Sequence, residues 1–272
     1  MTDTRREIET WIERFDRALA VGDGAGAAEL FREECFWRDM VAFTWNIVTA
    51  DGRAEIAALV GDTAARTAPR NWAIAGEATL NPEGWTEAWL SFATAQGTGR
   101  AHVRLVEGRA WTLLTTLTEL GDHPRGIGRN RPRGQTHGAQ KGRITTAAAT
   151  EATRASLGLE HQPDCVIIGG GQGGMALAAR LNHLGVSNLI LEKNARPGDS
   201  WRNRYPTLCL HDPVWYDHLP YLPFPANWPV FSPKDKIGDW LEMYTKVMEL
   251  NYWTRSTVEH AAYDAQAKTW TV

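Results

Sequence analysis

The chain has 272 residues, a length that fits two domains rather than three or four. Hydrophobic residues make up 43% and charged residues 22%, which excludes a disordered, collagen-like or disulfide-scaffold chain. A net charge of −3 gives no overall attraction to nucleic acid or to an anionic membrane. Three cysteines, Cys35, Cys165 and Cys209, lie far apart with no Cys-x-x-Cys pair, which indicates idle thiols in a reducing compartment. The charged N-terminus is no secretory signal, and the apolar run 165–179 holds five glycines and is too short to span a bilayer. A soluble, cytoplasmic protein without nucleic-acid or membrane partners is expected.

Apolar residues Ile8, Trp11, Ile12, Phe15 and Leu19 recur at helical spacing over 5–20. Gly22-Asp23-Gly24 breaks that pattern, and a short helix is predicted from Ala25 to Phe31. Residues 35–49 suggest strand and loop, and 53–65 a third helix with Ile56, Leu59 and Val60 inside. Strand-like runs follow at 85–95, 101–107 and 109–119, separated by turn residues. Helices followed by antiparallel strands make an α+β pattern for residues 1–120. Trp37, Asp39, Trp45, Trp89 and His102 are candidates to line a pocket there, with Asp39 and His102 as acid and base. The competing expectation is that the aromatics fill the interior or form a dimer face, while His102 alternates outward with Arg104.

Residues 121–160 change character. Gly121–Arg143 carries six Lys or Arg against one acid, with prolines and glycines and no hydrophobic period. A solvated basic linker is predicted, with an anion-gripping arm as the alternative. A short Ala-rich helix is predicted over 145–157.

From 161 to 272 the pattern becomes α/β. Asp164–Ile168 reads as a buried strand, Gly169–Gly174 as a turn, Met175–Leu184 as a helix and Val186–Leu191 as a second buried strand. Gly169, Gly171 and Gly174 satisfy G-x-G-x-x-G between strand and helix, the context a pyrophosphate needs at a helix N-terminus. Glu192 follows at the second strand's end, 18 residues after Gly174. A carboxylate there accepts from a ribose diol and repels a 2′-phosphate, so the site wants FAD or NAD. The apolar, proline-rich stretch 198–229 that follows has to pack on something, a flavin ring being one candidate. His211-Asp212 and Asp217-His218 match no standard metal-ligand spacing.

The segment Glu192-Lys-Asn, then Gly198-Asp-Ser-Trp201 and Arg204-Tyr-Pro resembles that of class B flavoprotein monooxygenases. The runs Leu208-Cys-Leu-His211, Leu219-Pro-Tyr-Leu-Pro-Phe-Pro225 and Trp228-Pro-Val-Phe-Ser-Pro-Lys234 look most like the YUCCA branch. The layout and aromatics of residues 1–120 resemble the SnoaL-like cone domain. This resemblance implies a cone domain over 1–120, a linker over 121–160, and part of a Rossmann-type FAD-binding domain over 161–272. It implies that Gly169, Gly171, Gln172, Gly173 and Gly174 cradle the FAD pyrophosphate. Glu192 would hold the ribose with Lys193 beside it, and Ser200, Trp201 and His211 would approach the flavin. It implies NADPH as reductant and a flavin hydroperoxide passing oxygen to a soft N or S nucleophile or to a carbonyl of a small-molecule substrate. No catalytic residue and no metal is assigned.

Departures from the family pattern bear on this. Gly198-Asp199 stands where the family has Gly-Gly. The second G-x-G-x-x-G and the F-x-G-x-x-x-H fingerprint for NADPH do not occur in this sequence. A C-terminally incomplete enzyme is therefore expected, one that binds FAD weakly and does not turn over NADPH. The alternatives kept open are a flavin or NAD dehydrogenase without oxygen transfer, a non-catalytic binding or dimerisation protein, and an isomerase or cyclase in the first domain. A homodimer through the first domain is a further expectation.

Overall fold

The computed structural model describes residues 3–135 and 137–272. The chain divides into two units, Met1–Pro124 and Arg125–Val272.

In the first unit, helix α1 (Asp3–Ala20) buries Ile8, Trp11, Ile12, Phe15 and Leu19 and turns its Arg and Glu residues outward. Helix α2 (Gly24–Ala28) is capped by Asp23, whose carboxylate accepts from the Gly26 N–H at 2.8 Å. It ends before the expected boundary, because Phe31 opens strand β1 (Phe31–Met40). Strand β2 (Ile47–Asp51), helix α3 (Gly52–Thr67) and strands β3 (Arg70–Leu80), β4 (Thr86–Ala93), β5 (Gly97–Val106) and β6 (Arg109–Leu120) follow. They form one six-stranded sheet in the order β2-β1-β6-β5-β4-β3. Its pairings are antiparallel except β1 with β6, which is parallel. Strand β3 was not expected. Its Ala-rich sequence has weak strand preference, and its register with β4 shifts twice.

Aromatic side chains fill the space between sheet and helices. Trp11 stacks on Phe15 at 4.6 Å, Phe15 meets Trp37 at 5.6 Å and Trp72 at 5.5 Å, and Trp72 stacks on Phe92 at 4.4 Å. Such rings bury much area with few rotamers. Asp39 is wholly buried. It accepts from the N–H groups of Ala42, Phe43 and Thr44 and from the hydroxyls of Thr44 and Thr115. Trp37 donates in turn to Thr115 Oγ1 at 2.9 Å.

The second unit begins with an exposed stretch containing helix α4 (Thr146–Ser156), capped by Thr145 and without a buried residue. Thr136, within the basic stretch, lies outside the described residues, as do Met1 and Thr2. Strand β7 (Cys165–Ile168), helix α5 (Gln172–His183) and strand β8 (Asn188–Leu191) form the expected β-α-β unit. A short helix α6 (Asp199–Arg202), helix α7 (Lys234–Val247) and strand β9 (Tyr252–Trp253) follow, then a hairpin of β10 (Ala262–Asp264) and β11 (Thr269–Thr271). Strands β7, β8 and β9 are parallel in that order. The proline-rich stretch packs on protein: Leu208, Leu210, Val214, Leu219 and Phe224 join Met175, Ala178, Ile237 and Leu241 in one core. Arg202 of α6 reaches Asp239 at 2.8 Å and Glu242 at 2.9 Å on α7.

Candidate nucleotide-binding site

The glycine turn between β7 and α5 is held by three separate restraints. Gly169 adopts φ +98°, which leaves the strand and sets the chain toward the helix. A Cβ on Gly174 would run into the carbonyl oxygen of Gly169 and close on Ile167, so α5 lies against β7 only with glycine there. The third restraint comes from β9: the Tyr252 hydroxyl donates to the Gly170 carbonyl at 2.8 Å, while the Gly170 N–H donates to Glu192 Oε2 at 2.6 Å. Both backbone polar groups of Gly170 are thereby fixed. Burial pushes the Tyr252 phenol well above its ordinary range, with the Glu192 charge adding to it, so it stays a donor.

Above this turn the surface is open. A Cβ on Gly173 would meet nothing, and one on Gly171 would only approach Ser200 Oγ at 3.9 Å. The Ser200 hydroxyl is buried and without a hydrogen-bond partner. The first N–H groups of the 12-residue helix α5 face outward here, at the positive end of its dipole.

Glu192 is buried at the end of β8. Besides Gly170 it accepts from Asn194 N at 2.8 Å and Asn194 Nδ2 at 2.6 Å. Three of a carboxylate's roughly four acceptor positions are thus used within the protein, leaving a lone pair on Oε2 for a ligand hydroxyl. Lys193 stands exposed beside it, and no hydrogen bond or ion pair ties it to the turn.

Next to the turn, Gln172, Trp201, Arg204, Leu210, His211 and Asp217 enclose a polar recess of about 270 Å³. Trp201 Nε1 donates to Gln172 Oε1 at 3.0 Å, and the Arg204 guanidinium lies 4.8 Å over the indole. The structure therefore brings Gly169, Gly171, Gln172, Gly173, Gly174, Glu192, Ser200, Trp201 and His211 to one face, and leaves Lys193 apart. Sequence reasoning missed Tyr252, Asn194 and Arg204. Asn194 and Arg204 sit within quoted segments, whereas Tyr252 acts across 82 residues and left no local signal.

In the first unit the proposed acid–base pair is split. Arg38, Leu114 and His102 share one cross-strand row, so Asp39, next along β1, points to the opposite face. His102 instead lies 4.8 Å from Trp89 on the outer face.

The fold and turn define a Rossmann-like nucleotide-binding unit. The family profile described as NAD(P)-binding Rossmann-like domain matches residues 167–222. Indole-3-pyruvate monooxygenase YUCCA1 of Oryza sativa subsp. japonica is 38% identical over 111 residues, 40% of this chain and 27% of that protein. An uncharacterised CzcO-like oxidoreductase of Geobacillus kaustophilus is 36% identical over 92 residues, 34% of this chain and 26% of that protein. Among solved structures, a flavin-containing monooxygenase from Stenotrophomonas maltophilia is 27% identical, covering 38% of this chain and 31% of its own at TM-score 0.35. The chain spans about a quarter of the length of these two curated relatives. Those relatives are oxidoreductases. Among the described residues, no helix is long and apolar enough to cross a membrane.

Proposed function

We propose that the second unit binds FAD and that the whole protein is an NADPH-using monooxygenase acting on a small molecule. One observation carries this: the unpartnered Ser200 hydroxyl faces the open side of Gly171 at the N-terminus of α5. A buried hydroxyl without a partner is costly, and a phosphate oxygen would satisfy it while the α5 N–H groups bind the same charge. The residues present thus fit the cofactor. Gly171, Gln172, Gly173 and Ser200 would hold the pyrophosphate. Glu192 Oε2 would accept from the adenosine ribose. Trp201, His211 and Arg204 would shape the recess on the flavin side. When bound, the flavin supplies hydride acceptance and oxygen activation. The protein's part is to bind and orient it, and to keep water out with the apolar packing around Trp201. The first unit is proposed as a SnoaL-like cone domain serving as an accessory or dimerisation module, since its interior is filled and its Asp39 is saturated by donors.

The purified 272-residue chain titrated with FAD, followed by flavin fluorescence, tests the reading. Binding is expected, weakened several-fold by Ser200→Ala and abolished by Gly173→Asp, which places a carboxylate in the phosphate's position. A folded chain that takes up no FAD would refute it. NADPH oxidation with oxygen uptake, measured with an NADPH-binding segment supplied, then separates a monooxygenase from a dehydrogenase, and sedimentation reads the oligomeric state.

A further inference from the structure

Strand β7 is paired on one side only. Among the described residues its sheet runs β7-β8-β9, so β7 is an edge. The N–H groups of Cys165 and Gly169 donate to the carbonyls of Ser187 and Leu191, at 3.1 and 2.9 Å, on the β8 side. Successive residues of a strand turn their backbone groups to opposite sides, so the N–H and C=O of Val166 and Ile168 face away from β8. The side chains show the same openness. Ile167 is buried in the core beneath α5, whereas Ile168, on the other face, is 60% exposed. A parallel sheet ordinarily has both faces covered, and a bare apolar edge is a template for another strand.

A groove of about 810 Å³ runs along this edge. Val166 and Ile168 form one wall, and Thr269, Trp270 and Val272, at the β10–β11 hairpin, form the other. Trp270 is 65% exposed there. The lining carries one acid, Asp164, and one base, Lys268, and so has no net charge. No residue of the glycine turn or of the polar recess lines it.

We infer that this groove takes an extended, uncharged, apolar segment of a partner polypeptide, which adds to β7 as a further strand. Its backbone would pair with the free groups of Val166 and Ile168, and its alternate side chains would cover Ile168 and Trp270. The hairpin wall selects this occupant. It leaves room for a single strand beside β7, whereas a second copy would bring its own hairpin with its own β7 and needs about 800 Å² of matching surface. A small molecule would leave the row of backbone groups unpaired. The inference stands whether or not the glycine turn holds FAD.

The test titrates the 272-residue chain with the labelled peptide acetyl-Lys-Val-Thr-Val-Thr-Val-Lys-amide, whose lysines only keep it soluble. Fluorescence anisotropy reads binding, and NMR reads amide exchange. In the free chain the Val166 and Ile168 amides are expected to exchange at least about tenfold faster than that of Ile167, and to slow by about tenfold or more when peptide is added. Val166→Pro removes one donor on the open edge and leaves the β8 ladder intact, so affinity should fall by about two- to 13-fold. Ile168→Lys puts a charge on the open face and should weaken binding by about tenfold; it serves if Val166→Pro does not fold. No saturable binding by folded chain up to about 1 mM peptide, or an affinity unchanged in both variants, would overturn the inference. So would free-chain amides of Val166 and Ile168 as slow as that of Ile167, or protection that rises with protein concentration alone, which would make the occupant a second copy. Peptide binding by a chain that takes up no FAD would retain this inference and reject the cofactor.

Discussion

The two units solve their polar groups differently. Among the described residues, six buried side-chain atoms without a hydrogen-bond partner lie in the second unit and two in the first. The first unit's buried carboxylate, Asp39, has five donors, and its aromatics interlock. The second unit leaves Ser200 Oγ and Asp217 Oδ2 bare, each beside open space. Buried polar atoms are nearly always paired in a finished core, so bare ones next to a cavity are places for a water or a ligand to complete. The contrast supports the proposal that ligand chemistry lies in the second unit, while the first unit's interior is packed.

The contrast breaks most visibly at the first unit's core. Trp37→Ala removes a fully buried ring that meets Phe15, Phe31 and Phe43. A loss of about 3–5 kcal/mol in unfolding free energy is expected by denaturant titration. A loss under about 1 kcal/mol would mean that the interior is loosely packed after all. Gly174→Val in the second unit comes next. Its side chain has to displace the Gly169 carbonyl, an overpacking worth about 1–3 kcal/mol, and the turn should no longer accept FAD. Retained FAD affinity in this variant would remove the glycine turn from the site.

Much of this was legible because the signals are local. Helix α1 follows from the spacing of Ile8, Trp11, Phe15 and Leu19, and the β7-turn-α5-β8 unit from apolar runs around a glycine cluster. Strand β3 was illegible, since alanines and Gly76 at φ +115° carry little strand preference and only the edge of β4 recruits them. The parallel β1–β6 pairing joins residues 31–40 to 110–116, a closure no local pattern announces. At the site, glycines and Glu192 were visible because the strand, turn, helix and second strand set their spacing along the chain. Asp217 was weighed with its neighbours only as a metal ligand. Its unpartnered Oδ2 left no trace in the sequence, because partners across a fold cannot be counted along a chain.

Tyr252 sharpens the comparison at a finer scale. Tyr252→Phe keeps the ring beside Gly170 and removes only the donor to its carbonyl. A neutral hydrogen bond is worth about 0.5–1.5 kcal/mol, so FAD affinity should fall by roughly twofold to at most about 13-fold with the fold intact. Gly170→Ala should do more harm, because its Cβ runs into the Tyr252 ring, and shortening that ring with Tyr252→Ala should restore part of the loss. An unchanged affinity in Tyr252→Phe would show that Glu192 alone orients the turn.

The smallest effect expected is at Asp164, which immediately precedes β7. Its carboxylate accepts from the Ser187 hydroxyl at 2.7 Å and the Ser187 N–H at 3.2 Å, and these bonds hold its pKa below the ordinary 3.8. The folded protein therefore binds this proton less readily than the unfolded chain. The stabilisation is complete above the unfolded value and is lost as pH falls through the lower, folded one. Asp164→Asn should lower the urea midpoint near neutral pH by a small amount, because the group is fully exposed and screened by solvent. The gap between variant and parent should close as pH falls through and below the folded value. A gap that stays constant with pH would mean that Asp164 contributes its shape to the start of β7 and not its charge.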